Sequence, residues 1–329
     1  MKSKRKLLTL FITIISYNIT SQIKKENFKV SGTIDTYYTT NLFQSTKKTV
    51  GILTDKPANG FGLGMANLVF SYENKKTGVI IDLAYGPRAN AANAFDGDIN
   101  QLYVYFQPTA DLKLTLGQFN TFFGYEVISP LVNFNYTVSY LFNAGPFSHT
   151  GLRADYTFNE DTSLMLALTN PHGITSGTNS LKDNYQFGFQ FGYKYQYFNL
   201  VYGSDGFGFN DVLYLDYTGG FDFTNTFYLG INLAYSNSDD SKSSYKGAAL
   251  YFQKEFSKLF SGGIRSEFFS NTSNNTQNDI YAITFTGNIK LSDQLKFTSE
   301  LRYDTSEDII IIGNKKNATG LTLAAIYNF

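Results

Sequence analysis

The sequence predicts an all-β fold, a transmembrane antiparallel up-and-down β-barrel of about sixteen strands with short periplasmic turns and longer extracellular loops. Three observations predict this fold. The composition is rich in aromatic residues and poor in charge, apolar and polar residues alternate with period two, and short connections alternate with long ones. Together they indicate strands that have one face in lipid and the other face in a polar interior.

The composition separates the chain from soluble domains and from helical membrane proteins. Aromatic residues make up 17% of it, with 31 Phe, 25 Tyr and no Trp, and charged residues make up 16%, against about 25% in typical soluble domains. A mean hydropathy of -0.20 and the lack of a second long apolar run exclude a bundle of transmembrane helices. The absence of cysteine excludes disulfides and thiolate chemistry. The 27 basic and 27 acidic residues give no support to a nucleic-acid partner.

The first 21 residues predict an export signal. A basic start is followed by an apolar run from Leu7 to Ile15 and by a short polar stretch that ends at Ser21. An uncleaved membrane anchor is the alternative, but the run is far shorter than the roughly 20 residues needed to span a bilayer. We expect residues 1–21 to be a cleaved signal peptide and residues 22–329 to form one barrel domain in the outer membrane.

The alternation is clearest between residues 185 and 193. Aromatic residues occupy one face of this segment, and glutamine and glycine occupy the other: Tyr185, Phe187, Phe189, Phe191 and Tyr193 against Gln186, Gly188, Gln190 and Gly192. Such a strand needs one apolar environment and one that is polar or closely approached. The same pattern recurs near 79–86, 112–116, 152–158, 227–235 and 295–304.

The connections between these segments alternate in length. Short polar turns are predicted near 74–76, 108–111, 159–161, 194–196, 219–222, 254–258 and 290–294. Longer segments are predicted near 41–60, 87–98, 120–148, 170–183, 203–210, 236–244, 270–278 and 304–317. A chain that crosses a membrane up and down, with both termini on the periplasmic side, requires this alternation.

The last nine residues also indicate an outer-membrane barrel. Alternate residues from Leu321 to Tyr327 are apolar, and the chain ends in Phe329. This ending resembles the terminal strand that barrel-assembly machinery recognises, so we expect that machinery as a partner. An ordinary edge strand that happens to end in Phe is the alternative.

A barrel of sixteen to eighteen strands leaves an aqueous channel. The alternation places charges of both signs on the inner face, and we take these residues as candidates for lining a pore: Asp82, Arg153, Asp155, Asp216, Arg265, Glu267, Glu300 and Arg302. The alternative is that they form ion pairs without a role in selectivity.

The third long connection, residues 120–148, is unusually aromatic for a solvated loop. We expect it to fold into the lumen and narrow it, with Glu126, its only charged residue, as the candidate at the constriction. The alternative is a loop that packs over the mouth of the barrel or on a neighbouring subunit.

A family resemblance appears at the same loop. The segment Gly117–Glu126 with its Gly-Tyr-Glu, then Asn133 and Ser139-Tyr140, then a His-Thr-Gly within Pro146–Gly151, resembles the OmpL-like, porin-2 type of β-barrel porin. The resemblance implies a porin-like protein of the Gram-negative outer membrane. It implies no substrate and no catalytic residue.

The sequence offers little support for catalysis or metal binding. Its two histidines, His149 and His172, lie in different segments, and the adjacent Ser148 and His149 are poorly arranged for a nucleophile and its base. We expect His149 to cap a strand or to form a hydrogen bond within the loop. The acids at Asp96 and Asp98, and at Asp239 and Asp240, lack the rest of a calcium loop. We therefore predict no catalytic residue, no metal and no cofactor.

The predicted function is an outer-membrane porin, a water-filled channel for the passive diffusion of small hydrophilic solutes. A structural or adhesive barrel with a blocked lumen is the alternative, and an outer-membrane hydrolase is a weaker one. Besides lipid and solutes, a homotrimer is an open expectation, because larger porins are often trimers.

Overall fold

The computed structural model describes residues 27–43, 50–56, 58–92, 98–171, 184–204, 211–238, 243–273, 276–307 and 315–329. The predicted signal peptide, residues 1–21, lies outside these residues. Sixteen antiparallel strands form a closed barrel in which each strand pairs with its neighbours in the chain and β1 pairs with β16. The strands are β1 (Phe28–Asn41), β2 (Gly60–Asn74), β3 (Thr77–Tyr85), β4 (Ile99–Phe106), β5 (Leu112–Asn120), β6 (Ser148–Asn159), β7 (Thr162–Thr169), β8 (Gln186–Tyr193), β9 (Gln196–Ser204), β10 (Asp211–Thr224), β11 (Phe227–Ser238), β12 (Ser243–Glu255), β13 (Phe260–Ser273), β14 (Thr276–Lys290), β15 (Leu295–Ser306) and β16 (Asn317–Asn328).

Two short helices lie in the described parts of the connections. Helix α1 spans Pro87–Ala92, after β3, and helix α2 spans Tyr140–Ala144, between β5 and β6. Ser139 caps α2, because its hydroxyl accepts a hydrogen bond from the Phe142 backbone N–H at 3.1 Å. Within the described parts of the chain, no helix is long and apolar enough to cross a membrane.

The period-two pattern becomes an apolar outer face and a polar inner face. In β8, Phe187 and Phe191 point outward and are 48% and 41% exposed, whereas Gln186 and Gly188 are buried inside the barrel. The outward apolar side chains of the other strands continue this surface around the barrel. The surface is suited to lipid, and the closed ladder leaves no strand edge unpaired within it.

The barrel closes at the last residue of the chain. Strand β1 pairs with β16 from Thr33, opposite Asn328, to Asn41, opposite Gly320. Beyond that register, the Gly32 N–H donates to the Phe329 carbonyl at 3.0 Å, and the Phe329 N–H donates to the Gly32 carbonyl at 3.1 Å. The terminal residue therefore takes part in the seam.

Two predicted connections are wrong in position. Residues 219–222 lie inside β10, and the turn falls at 225–226. The two glycines that suggested a turn instead admit side chains from the neighbouring strands, because a Cβ at Gly219 would lie 2.0 Å from Gln196 Oε1 and one at Gly220 would lie 2.0 Å from the Tyr228 hydroxyl. The long connection predicted at 270–278 is also wrong, since β13 runs to Ser273 and β14 begins at Thr276.

The barrel has walls of two heights. Strands β10–β16, β1 and β2 have 12 to 15 residues, and we call them the tall wall. Strands β3–β9 have 8 or 9 residues, apart from the 12 residues of β6, and we call them the short wall. A membrane-spanning strand needs about 9–11 residues, so the tall wall extends beyond the bilayer core.

Candidate functional site

The connection between β5 and β6, residues 121–147, lies inside the barrel, and we call it the lumen loop. Its Tyr136 is 1% exposed. The Tyr136 hydroxyl donates to the Asp35 carboxylate of β1 at 2.6 Å. Burial, together with the nearby Asp35 carboxylate, raises the pKa of Tyr136 well above its ordinary value, so the phenol keeps the proton that it donates. The loop thus occupies the lumen, as its aromatic content indicates.

Glu126, the only charged residue of the lumen loop, pairs with Arg265 of β13. The Arg265 Nη1 lies 2.6 Å from the Glu126 carboxylate and its Nε lies 2.7 Å from Glu267, and the three side chains are at most 3% exposed. Arg265 also donates to the Thr137 carbonyl at 2.6 Å. The second oxygen of Glu126 accepts from the Ser139 N–H at 2.7 Å. Buried charges are tolerated when they are paired and hydrogen-bonded in this way.

Side chains of β15 hold the irregular backbone of the loop. The Glu300 carboxylate accepts hydrogen bonds from the N–H groups of Tyr136 and Thr137 at 2.6 and 2.9 Å. Arg302 donates to the Val138 carbonyl at 2.7 Å and pairs with Asp304 at 2.9 Å. Buried backbone groups outside regular structure need partners, and here charged side chains of the wall supply them.

The start and the tip of the lumen loop are held by different groups of the wall, a carboxylate and an ammonium. Near its start, the Gly124 N–H donates to the Asp216 carboxylate at 3.1 Å. The Asn199 and Asn232 side-chain amides donate to the same carboxylate at 2.6 and 2.5 Å. Near the tip, the Lys296 ammonium donates to three backbone carbonyls at 3.0 to 3.1 Å, those of Pro130, Leu131 and Asn133.

Inward glycines make room for the large side chains of the loop. A Cβ at Gly188 would lie 2.8 Å from the Phe122 ring, and one at Gly230 would lie 2.5 Å from the Tyr125 ring. A Cβ at Gly263 would similarly lie 2.6 Å from the Phe134 ring. The Phe122 contact explains the glycine at position 188 on the inner face of β8, since a ring of the loop packs directly on the strand there.

Helix α1, in the connection between β3 and β4, also contacts the lumen loop. Arg88 of α1 is 1% exposed, and its guanidinium donates to the carbonyls of Ile128 at 2.8 Å and Tyr136 at 3.2 Å. It also lies 5.1 Å from the centre of the Tyr136 ring. Sequence reasoning missed Arg88 and Asp35. It placed Lys296 on the polar face of its strand and Tyr136 in the lumen loop, but it assigned no role to either. Asp35 lies within a strand-like segment, where alternation could have marked it as inward, whereas no pattern marks Arg88.

The short wall presents a different group of charges to the lumen. Arg153 and Asp155 of β6 form an ion pair at 2.6 Å, with side chains 27% and 29% exposed. Lys113 of β5 lies opposite Asp155 in the strand register, and its ammonium lies 4.1 Å from the centre of the Tyr105 ring. These side chains are less covered than the ion pairs under the lumen loop.

Asp82 of β3 is buried and held by amides. Asn100 and Gln101 donate to its carboxylate at 2.7 and 3.1 Å, and Asn67 donates as well. The structure thus brings Arg265, Glu267, Glu300, Arg302 and Asp216 together around the lumen loop, and leaves Asp82 and the pair of Arg153 and Asp155 on the opposite side.

His149 contacts the start of the lumen loop. Its Nε2 lies 3.1 Å from the Thr121 hydroxyl, and its ring stacks on Phe122 with centroids 4.6 Å apart. The expected hydrogen bond within the loop is confirmed. His172, Asp96, Asp239 and Asp240 lie outside the described residues. Among the residues that the structure does describe, no group of three His, Cys, Asp or Glu side chains could hold a metal ion.

Solved structures with the same architecture are bacterial outer-membrane proteins. OprB of Pseudomonas putida has a TM-score of 0.67 at 10% identity, covering 92% of this chain and 94% of its own. The outer-membrane channel DcaP of Acinetobacter baumannii has a TM-score of 0.62 at 12% identity, covering 92% and 97%. OmpT of Vibrio cholerae in its trimer form has a TM-score of 0.57 at 10% identity, covering 92% and 99%. At these identities the likeness shows the fold. No curated protein matches the sequence.

Family membership rests on a match over nearly the whole barrel. The sequence profile described as "Putative beta-barrel porin-2, OmpL-like" matches residues 27–329. That span begins just before β1 and includes the lumen loop, the ion pairs that hold it and the terminal strand. The protein therefore belongs to the OmpL-like β-barrel porins of the bacterial outer membrane.

Proposed function

We propose that small hydrophilic solutes cross this porin by passive diffusion, through water between the lumen loop and the short wall. One observation carries the proposal. From Gly124 to Tyr140 the lumen loop is bonded to inward side chains of the tall wall, whereas Arg153 and Asp155 on the short wall stay partly exposed. Apart from its start, where Phe122 packs on β8, the loop therefore narrows the lumen from the side of the tall wall and leaves the partly exposed Arg153 and Asp155 on the other side.

The chemistry of the short wall suits weak selectivity. Lys113 and Arg153 bring positive charge, and Asp155 brings negative charge beside them. Charges of both signs at short range partly cancel for a passing ion, and water screens what remains. Solutes would move down their gradients without bond making or breaking, so we propose no catalytic role for any residue.

In this proposal Glu126 sets the constriction through its hold on the loop. Its carboxylate is bonded to Arg265 and to the Ser139 N–H, so it fixes the path of the loop beside the passage. Arg265, Glu267, Glu300, Arg302 and Asp216 contribute in the same way, as anchors. Arg153 and Asp155 are the residues that we expect a solute to meet.

Single-channel conductance of the purified, refolded protein in a planar bilayer tests the proposal. We expect stable open steps and a size cutoff for added neutral solutes. Deleting residues 126–140 should raise the conductance, since the narrowing segment is removed. A folded, heat-modifiable barrel that never conducts would favour a blocked, structural barrel instead.

We further propose how the protein reaches its place. Residues 1–21 would direct export and be removed, and the barrel-assembly machinery would bind β16, whose last neighbour Phe329 lies at the seam. N-terminal sequencing of the outer-membrane form checks the cleavage. Replacing Phe329 by Ser should reduce insertion, measured as the folded fraction in isolated outer membranes.

We also propose a homotrimer. The support is the trimer form of the structurally similar OmpT and the short wall, whose strands of 8 or 9 residues are at the lower limit for facing lipid alone. Light scattering of the detergent-solubilised protein measures the number of chains. A monomer would contradict the trimer and leave the proposed pore function unaffected.

A further inference from the structure

A cavity of about 380 Å³ lies beneath the lumen loop, between the loop and the inner faces of β12–β15. Its lining combines the aromatic ring of Tyr125 with the uncharged polar side chains of Gln253, Ser261 and Asn288. Small-molecule pockets have volumes of roughly 300–1,000 Å³, so the space is large enough for a small solute.

The two charged side chains in the lining already have partners. Glu126 is paired with Arg265 at 2.6 Å and accepts from the Ser139 N–H at 2.7 Å. The Lys296 ammonium donates to three backbone carbonyls of the loop. A charged ligand would therefore gain little counter-charge in the cavity, and the chemistry favours a neutral ligand.

The Tyr125 ring is held in a fixed orientation. It stacks on Tyr251 with centroids 4.1 Å apart and planes at 23°, and its hydroxyl accepts from the Gln253 side chain at 3.0 Å. The Asn288 amide is already used, since it donates to the Phe134 carbonyl at 2.9 Å and accepts from the Thr298 hydroxyl at 2.6 Å. A fixed ring face beside the Ser261 hydroxyl and the Gln253 amide oxygen suits a molecule that has both a face of C–H groups and a rim of hydroxyls. We propose that the cavity binds a neutral mono- or disaccharide, at a site on the other side of the lumen loop from the passage along the short wall. This inference rests on the proposed porin function.

The position of the cavity indicates the end of the barrel from which a ligand reaches it. A second space of about 320 Å³ shares Leu131, Ser261, Asn288 and Lys296 with the first and continues to the turns after β12 and β14. These turns lie at the periplasmic end of the barrel. The saccharide therefore reaches the site from the periplasmic side, or leaves by it.

The test measures binding to the full-length, folded barrel in detergent by titration calorimetry, with maltose and glucose as probes and glutamate as the charged comparison. We expect saturable binding of the sugars and none of glutamate. Ser261→Leu should weaken sugar binding by about tenfold or more, because the larger side chain fills the cavity and Ser261 is not used to hold the loop. Ser163→Leu is the matched control, since each serine is the second residue of its strand and Ser163 lies on the short wall.

Sidedness supplies a second measurement on the unchanged protein. Maltose added to the periplasmic side of a bilayer should reduce the single-channel current at a lower concentration than maltose added to the extracellular side, because a sugar between the loop and the tall wall displaces the loop toward the passage. A folded barrel that binds no sugar, or a Ser261→Leu variant that binds as tightly as the wild type, overturns the site. A protein that conducts without binding sugar retains the porin function and loses the site, whereas one that binds sugar without ever conducting retains the site and loses the porin function.

Discussion

The same short motif serves different purposes on the two walls of the barrel. An arginine and an acid two residues later form an ion pair on one inward face in β13, β15 and β6: Arg265 with Glu267, Arg302 with Asp304, and Arg153 with Asp155. On the tall wall both pairs are at most 2% exposed. On the short wall the pair is 27% and 29% exposed.

The lumen loop accounts for this difference. Arg265 donates to the Thr137 carbonyl and Arg302 donates to the Val138 carbonyl, so each tall-wall arginine holds the loop as well as its own acid. Arg153 instead lies 5.6 Å from the centre of the Phe119 ring and keeps part of its surface open. A motif in a strand therefore acquires its role from what lies across the lumen.

The largest expected effect on stability comes from replacing Arg265 of the tall wall, with Arg153 of the short wall as the comparison. Arg265→Leu should lower the free energy of unfolding by about 3–5 kcal/mol, because Glu126 and Glu267 would remain buried without their cation. It should also raise the conductance, since the loop loses its central anchor. Arg153→Leu should cost no more than about 1 kcal/mol, since its pair is partly exposed to water. Denaturant titration of the two refolded variants compares them.

The double variant Glu126→Leu with Arg265→Leu sharpens that comparison. Removing both charges leaves only Glu267 without its nearest cation, and Arg302 lies 3.6 Å from that carboxylate. We therefore expect the double variant to be more stable than Arg265→Leu alone. Equal stability of the two variants would show that the loss comes from packing rather than from unpaired charge.

A smaller effect is expected at the glycines beneath the loop. Gly230→Val should displace the Tyr125 ring, which lies 2.5 Å from the position of the added Cβ. We expect a loss of about 1–3 kcal/mol from overpacking and a higher conductance. Gly287→Val is the control, because its nearest atom is the Ser299 hydroxyl at 3.2 Å. If both variants conduct like the wild type, the ring contact does not position the loop.

Much of the fold could be predicted because strand alternation is a local property of the sequence. The strand around Phe187 and the aromatic lumen loop are examples, since the residues that reveal them are neighbours in the chain. The anchors of the loop are not local. Arg265 and Glu126 are separated by 139 positions, and three similar arginine motifs give no indication of which two are covered.

Local glycine patterns also mislead where distant contacts decide. Gly219 and Gly220 suggest a turn, yet they lie in a strand because Gln196 and Tyr228 approach them from the neighbouring strands. Arg88 was missed for a similar reason, since its partners at Ile128 and Tyr136 belong to a loop with no regular pattern. Such contacts between distant residues can be identified only once the strands are arranged in the closed barrel.

A further prediction concerns the contact of the loop with β1. Tyr136→Phe removes the hydrogen bond to the Asp35 carboxylate and should cost about 1–3 kcal/mol, since a buried charged acceptor loses a donor. Asp35 keeps its hydrogen bond from the Met65 N–H at 2.9 Å, which limits the loss. Thermal unfolding of the variant measures it. Tyr105→Phe, on the short wall, is the matched control and should change stability less.

Reversing the charge of Arg153 should have the smallest effect on stability and the clearest effect on ion selectivity. Arg153→Glu replaces a partly exposed cation of the short wall, so the passage would carry Asp155 and a second carboxylate beside Lys113. We expect a shift of the reversal potential toward cation preference in a salt gradient, larger at low ionic strength because salt screens the charge. Lys194→Glu, at the turn after β8, makes the same charge change away from the lumen and should shift it less. Equal shifts for the two variants would mean that solutes do not pass along the short wall.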